Sequence, residues 1–190
     1  MRWLVLTGYM GAGKTSVGRR VATRLDRPFV DADDVVQEQA GMTIAVIFPK
    51  KGELWFRRTE EAAIRSVLDG DPGVLALGGG ALESAKTRSL GARVADVVWL
   101  HVTPETAWAR VSGSDRPLAV DHGRFVRRAA AREAGYREAA HLEVDAGEPL
   151  DQVVARIAGW ALRTGDDGGA RCARRSTRTS VTVRAPFTWG

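Results

Sequence analysis

The amino-acid sequence predicts an α/β fold built on a parallel sheet, and three observations carry that expectation. Short β-rich apolar runs alternate with longer helical segments, the order expected of strands joined by crossover helices. A glycine-rich loop of the form G-x-x-x-x-G-K-[ST], Gly8 to Thr15, follows the first apolar run and opens the first helical one. The chain of 190 residues is 44% apolar and 27% charged, the size and balance of one globular domain with its own core.

Composition narrows the function classes. No run of about 18 apolar residues occurs, so no membrane span is expected. The first apolar run, Trp3 to Leu6, passes directly into the glycine-rich loop and lacks the form of a signal peptide. A single cysteine, Cys172, allows no intramolecular disulfide, in keeping with a reducing, cytoplasmic setting. The net charge is +5, but residues 166–190 hold five arginines against two aspartates and so supply +3 of it. The nearly balanced remainder argues against nucleic acid as a partner and suits an enzyme for phosphate-bearing small molecules.

Each element has a local reason. Arg2 to Thr7 reads as a buried strand and Lys14 to Leu25 as the helix after it. Pro28 leads into a short strand ending near Asp31. Asp33 to Gln39 and Thr43 to Phe48 read as short helices separated by Gly41 as a stop. Gly52 to Leu68 is a long helical stretch, closed by the turn residues Asp69 to Gly73. Val74 to Leu77 is an apolar strand running into three glycines, and Val94 to Val102 is a further strand. Thr103-Pro104 supplies an N-cap with proline at the first helical position. Ser112 to Gly123 is a polar loop, Arg124 to Ala140 a helix rich in alanine and arginine. His141 to Val144 is a last short strand and Leu150 to Leu162 the closing helix. From Gly165 the composition turns to Gly, Arg, Ser and Thr, a flexible tail in which Ser180 to Val183 could pair as a strand.

The loop carries the firmest chemistry. Its glycines let the backbone turn tightly and aim N–H groups at phosphate oxygens, and the following helix adds its positive end. Lys14 would reach the β- and γ-phosphates of a nucleoside triphosphate, and the Thr15 hydroxyl would ligate Mg²⁺.

Four further groupings bear on the acceptor. In Phe29-Val30-Asp31-Ala32-Asp33, carboxylates two residues apart on a strand share a face, one suited to Mg²⁺ and one to a substrate hydroxyl; an acidic turn with Asp33 as N-cap is the plain alternative. In Phe56-Arg57-Arg58-Thr59-Glu60, Arg57 and Glu60 share a helix face, so the arginine can be held while it grips a carboxylate. A solvated charge run fits as well. Gly78-Gly79-Gly80 indicates that some group approaches the backbone closely, unless it is an ordinary turn. Arg116-Pro117-Leu118 in the loop, with Arg132 and Tyr136 beyond, suggests a mobile arginine over the phosphates.

In this order and spacing the motifs resemble those of the shikimate kinase family, from about Trp3 to Trp160. The segments that carry the resemblance are GYMGAGKTSVGR (Gly8 to Arg19), Asp31/Asp33, Phe56-Arg57-Arg58-x-Glu60, Gly78 to Gly80 and Arg116-Pro117-Leu118. It implies a P-loop kinase fold: a three-layer α/β sandwich with a five-stranded parallel sheet and a mobile lid at about 112–124. It also implies ATP-dependent phosphorylation of the 3-hydroxyl of shikimate on the route to aromatic amino acids. Lys14, Asp33 and Arg116 would then be catalytic, with Asp33 binding the acceptor hydroxyls as base. Gly11, Ala12, Gly13, Lys14, Thr15, Ser16, Arg110 and Arg116 would bind ATP, Arg110 stacking on adenine. Asp33, Arg57, Gly78, Gly79, Gly80 and Arg132 would bind the acceptor, the two arginines at its carboxylate. Thr15 and Asp31 would serve Mg²⁺, and Glu60 would orient Arg57. The expected organisation is a kinase domain over residues 1–164, acting as a monomer on small molecules, and a basic tail over 165–190.

The chain departs from the family pattern in three places. Arg132-Glu-Ala-Gly-Tyr136 replaces the usual Arg-x-Pro-Leu-Tyr, the lid is shorter, and Val144 to Pro149 is an abbreviated adenine loop without its basic residue. Two rival functions share this architecture or this loop: a kinase for another hydroxy acid or cyclitol, and a nucleotide-binding module without turnover.

Overall fold

The computed structural model describes residues 1–113 and 121–166. Arg116, Pro117 and Leu118 lie outside the described residues, as do residues 167–190 with the candidate strand Ser180 to Val183. Five strands, β1 (Trp3–Thr7), β2 (Phe29–Asp31), β3 (Val74–Ala76), β4 (Ala95–His101) and β5 (Leu142–Asp145), form one parallel sheet in the order β2-β3-β1-β4-β5. Val5 of β1 pairs with Leu75 of β3 on one side and Val97 of β4 on the other. The expected α/β class and its five parallel strands are therefore present.

Alternation along the central strands divides the core into two layers, because successive side chains leave a strand on opposite faces. Val5, Leu75, Val97 and Trp99 pack on one face with Ile64, Phe125 and Tyr136. Leu4, Leu6, Val98 and Leu100 pack on the other with Val17, Val21 and Ile157. Helices α1 (Lys14–Leu25) and α7 (Leu150–Asp166) cover this second face. The first face is covered by α3 (Ile44–Leu68), α4 (Ala85–Val94), α5 (Pro104–Val111) and α6 (His122–Ala139). A separate apolar cluster of Val36, Ile47, Phe56 and Ala63 fastens α2 (Ala32–Ala40) to α3. The strand order reverses direction at β1, so the loop after β1 opens at the carboxyl edge of the sheet, where ligands of such sheets bind.

Most elements fall where the sequence places them, and the differences have local causes. The two helices expected over Thr43 to Phe48 and Gly52 to Leu68 meet at Gly52, whose backbone (φ 80°, ψ 165°) breaks the helical run within α3. Helix α4 and the 3₁₀ turn before it, Ala81–Glu83, were not expected. Only Thr87 and Gly91 of α4 are buried, so it offers almost no hydrophobic periodicity to read. Its start is set by Ser84, whose hydroxyl accepts from the Thr87 N–H at 3.2 Å. Among the described residues no helix is long and apolar enough to cross a membrane.

Ile157, with no exposed surface, joins α7 to the second core layer. Ile157→Ala should lower stability by about 2–4 kcal/mol in denaturant unfolding while leaving nucleotide affinity unchanged.

Candidate active site

The nucleotide end grows directly from β1. After Thr7 the chain turns through Gly8, Gly11 and Gly13, at φ 139°, 83° and 84°. Gly13 is the N-cap of α1 and provides no side-chain cap. The first-turn N–H groups of α1, and the positive end of its dipole, are thus available to an anion at the loop. Lys14 curls back over this loop, its ammonium donating to the carbonyls of Gly8 (2.8 Å) and Tyr9 (3.0 Å). Ala12 is buried and Ser16 is exposed on the first turn of α1. Arg110 of α5 donates to the Gly11 carbonyl at 3.1 Å and the Ala146 carbonyl at 3.0 Å. It joins the phosphate loop to the turn after β5, the stretch read as the adenine loop.

Thr15 and Asp31 meet beside the loop, the hydroxyl donating to Asp31 Oδ2 at 2.7 Å. Two hard oxygens in contact suit Mg²⁺, which takes one or two protein ligands and completes its shell with phosphate and water. Among the described residues no group of three or more His, Cys, Asp or Glu is built to hold a metal alone.

Asp31 and Asp33 reach the site differently from the strand-face expectation. β2 ends at Asp31, and Asp33 stands in the first turn of α2. Asp31, not Asp33, is the N-cap, its Oδ1 accepting from the Asp33 N–H at 3.0 Å. One carboxylate therefore does two things, capping α2 and holding Thr15. Both aspartates line the same cavity, of about 530 Å³, with Thr15, Arg57, Glu60, Gly78 to Gly80 and Arg132. Met10, Phe48 and Phe56 add apolar surface to its wall.

Arg57 and Glu60, one turn apart on α3, pair at 2.8 Å, and Glu53 approaches Arg57 from the helix's outer side at 3.3 Å. Glu60 is 2% exposed. Its Oε1 lies against Gly78 and has no hydrogen-bond partner among the described residues. Burial pushes the Glu60 carboxyl above the usual carboxylate range, with nearby Asp33 adding to the rise and Arg57 opposing it. Burial works against the Arg57 charge too, but Glu60 outweighs it and raises the guanidinium's affinity for its proton. Arg57 stays cationic throughout.

The glycine run is explained by this pair. A Cβ on Gly80 would stand 2.6 Å from the Arg57 guanidinium, and one on Gly78 would collide with Glu60. The group that approaches the backbone closely is thus the protein's own ion pair at positions 78 and 80. Gly79 sits between them and lines the cavity.

Arg132 is brought to this cavity by α6, 7% exposed, despite the altered residues after it. Its Nε donates to Glu83 Oε1, and its guanidinium lies 5.6 Å from the centre of the Tyr9 ring. One turn on, the Tyr136 hydroxyl donates to the Gly79 carbonyl. Burial raises the pKa of Tyr136 well above its ordinary value, so it remains a donor at any physiological pH. Sequence reasoning missed Glu83, Tyr9 and Phe48. Glu83 ends an unrecognised 3₁₀ turn, Phe48 is an apolar position that only packing brings to the wall, and Tyr9 meets Arg132 through its ring.

A phosphate loop opening onto a cavity lined by arginines and carboxylates is the arrangement of a P-loop kinase. The profile of the shikimate kinase family matches residues 10–161 of the chain. A shikimate kinase of Symbiobacterium thermophilum is 41% identical over 172 residues, covering 87% of this chain and 99% of that protein. One from Bradyrhizobium diazoefficiens is 42% identical over 157 residues, covering 80% and 76%. The structure of Acinetobacter baumannii shikimate kinase in complex with shikimate superposes with a TM-score of 0.76 at 29% identity, covering 94% and 96%. A Sinorhizobium meliloti gluconokinase shares the fold alone, at TM-score 0.59 and 18% identity, covering 90% and 97%. The chain belongs to the shikimate kinase family.

Two expected outcomes follow from the pair. Gly80→Ala should displace Arg57 and raise the KM of the acidic acceptor about tenfold, with the KM of ATP unchanged in steady-state kinetics. As pH falls, the acceptor KM should begin to rise above the ordinary carboxylate range, because protonating Glu60 releases Arg57. Glu60→Gln should remove that limb of the pH profile.

Proposed function

We propose that this enzyme transfers the γ-phosphoryl group of ATP to the 3-hydroxyl of shikimate, giving shikimate 3-phosphate on the route to aromatic amino acids. The observation that carries this reading is a single cavity in which Thr15 of the phosphate loop stands with Asp33, Arg57 and Arg132. The acceptor implied is a hydroxylated acid: a carboxylate for the arginines, a hydroxyl for Asp33, and apolar contact for the ring.

Arg57 and Arg132 grip the carboxylate, and the backbone of Gly79 meets the ring between Gly78 and Gly80. This fixes the acceptor so that its hydroxyl faces the phosphate loop. Asp33 orients the hydroxyl and takes its proton as the oxygen–phosphorus bond forms and the bond to the leaving ADP breaks. The backbone of Gly11, Ala12, Gly13 and Ser16 holds the phosphates. Lys14 shifts its ammonium from the loop carbonyls to the oxygens on which negative charge gathers. Thr15 and the adjoining Asp31 would hold Mg²⁺, which would supply positive charge against the phosphates. Arg110 faces the base, and Arg116 is assigned to the phosphates on the resemblance. A cytoplasmic monomer with a kinase domain over residues 1–164 completes the reading; sedimentation at micromolar concentration checks the monomer.

ADP release coupled to a reporter, with ATP, Mg²⁺ and a panel of shikimate, an aminoshikimate and gluconate, tests the assignment. Shikimate should give the highest kcat/KM, and omission of Mg²⁺ should abolish turnover. Preference for gluconate would move the protein to another acceptor; ATP binding without turnover on any acceptor would make it a nucleotide-binding module. Lys14→Met should lower kcat by about 10²-fold or more with the fold intact by circular dichroism. Arg57→Ala should raise the shikimate KM roughly 30-fold, about 2 kcal/mol, with a smaller change in kcat.

A further inference from the structure

We infer that Glu83 is a positioning residue for acceptor binding: its carboxylate holds Arg132 by Nε, presenting the opposite edge of the guanidinium to the acceptor's carboxylate. The inference rests on the reading that Arg132 binds that carboxylate.

The two arginines of the cavity are built on a common plan. Arg57 is held by Glu60 and Glu53, and Arg132 by Glu83. An arginine side chain that is free to sample its rotamers must give up that freedom when it binds, which weakens binding. A carboxylate already bonded to it removes most of that loss. The atom used matters. A guanidinium offers two bidentate edges, Nε with one Nη, and the two Nη groups together. Glu83 accepts from Nε, which leaves the two-Nη edge for a second carboxylate.

Packing alone does not fix Arg132. Next to the ion pair lies a small void, with room for about one water, lined by Gly79, Leu82, Glu83, Arg132, Gly135 and Tyr136. Gly135 puts no side chain into it. Contact with the Tyr9 ring restrains one face of the guanidinium, and the bond to Glu83 sets its rotation.

Glu83 is itself held, although its side chain is 44% exposed. Arg88 of α4 donates to the carbonyls of Leu82 at 2.6 Å and Glu83 at 3.0 Å. Ser84 caps α4 and donates to Glu61 Oε2 at 2.6 Å. The carboxyl end of the 3₁₀ turn is therefore tied both to α4, through Arg88, and to α3, through Ser84 and Glu61; α3 is the helix that carries Arg57 and Glu60. Both arginines are referred to the same helix, Arg57 directly and Arg132 through Glu83 and the turn. Their separation is then set before the acceptor arrives.

The test compares Glu83→Gln, Glu83→Asp and Arg132→Ala with the parent enzyme on shikimate and on its methyl ester, which lacks the charge. Glu83→Gln is expected to raise the shikimate KM about three- to tenfold, with the ATP KM and the methyl-ester KM unchanged. Glu83→Asp should recover part of the loss, and Glu83→Gln should add nothing in an Arg132→Ala background. An unchanged or lower shikimate KM in Glu83→Gln, where Arg132→Ala raises it, overturns the role of Glu83. Loss on both shikimate and its ester, or a raised ATP KM, assigns Glu83 a purely structural role and also overturns it. If Arg132→Ala leaves the shikimate KM unchanged, the reading of Arg132 fails first and the inference falls with it.

Discussion

The active site depends on the pairing of a deeply buried carboxylate with an arginine. Glu60 is almost inaccessible, and an isolated charge at such a depth would be neutralised or would unfold its surroundings. Arg57 on the same helix turn keeps it ionisable, and it in turn keeps Arg57 in one orientation. Neither could be accommodated if the chain crossing beneath them carried side chains, which is why positions 78 and 80 are glycine. The pair, the glycine run and the shape of the acceptor wall are one constraint seen from three elements.

The sheet converts this local constraint into a site. β1, β2 and β3 lie side by side and parallel, so the segments that follow each of them emerge at the same edge. After β1 comes the phosphate loop, after β2 the Asp31/Asp33 pair, and after β3 the glycine run. Thr15 of the phosphate loop, the two aspartates and the glycine run are thereby brought to one cavity by strands that are far apart in sequence. Economy is visible at Asp31, which caps α2 and holds Thr15 with its two oxygens. A change there would disturb the start of α2 and the placement of the Thr15 hydroxyl together.

The two walls of the cavity differ in how they are made. On the Arg57 side a long helix supplies both members of the pair, so the geometry is local and stiff. On the Arg132 side three separate pieces meet: α6 with Arg132 and Tyr136, the 3₁₀ turn with Glu83, and Tyr9 of the phosphate loop. Tyr136 reaches across to the Gly79 carbonyl and closes the circuit between the walls. The departure of this chain from the family pattern, Gly135 in place of a bulky residue, falls on this composite side. There, Gly135 and the Arg132–Glu83 ion pair line the same small void.

What the sequence determined by itself was the nucleotide half and the order of the elements. A phosphate loop is a local structure: glycines, a lysine and a threonine at fixed spacing are sufficient, because backbone N–H groups do the binding. Lys14, Thr15 and helix α1 were legible for that reason, and so was the Arg57/Glu60 pair, one helical turn apart. The class of acceptor emerged from several such local signals taken together. Tertiary structure decided the rest. It gave the cap of α2 to Asp31 rather than Asp33, because the backbone leaves β2 at Asp31 and the helix begins at Ala32. It showed that the glycines at 78 and 80 accommodate Arg57 and Glu60. It also brought Glu83 to Arg132, residues 49 positions apart, through a short turn and a weakly amphipathic helix that leave little trace in the residue pattern. Contacts within one turn of chain can be read from spacing; contacts made by the closing of a sheet and its helices cannot.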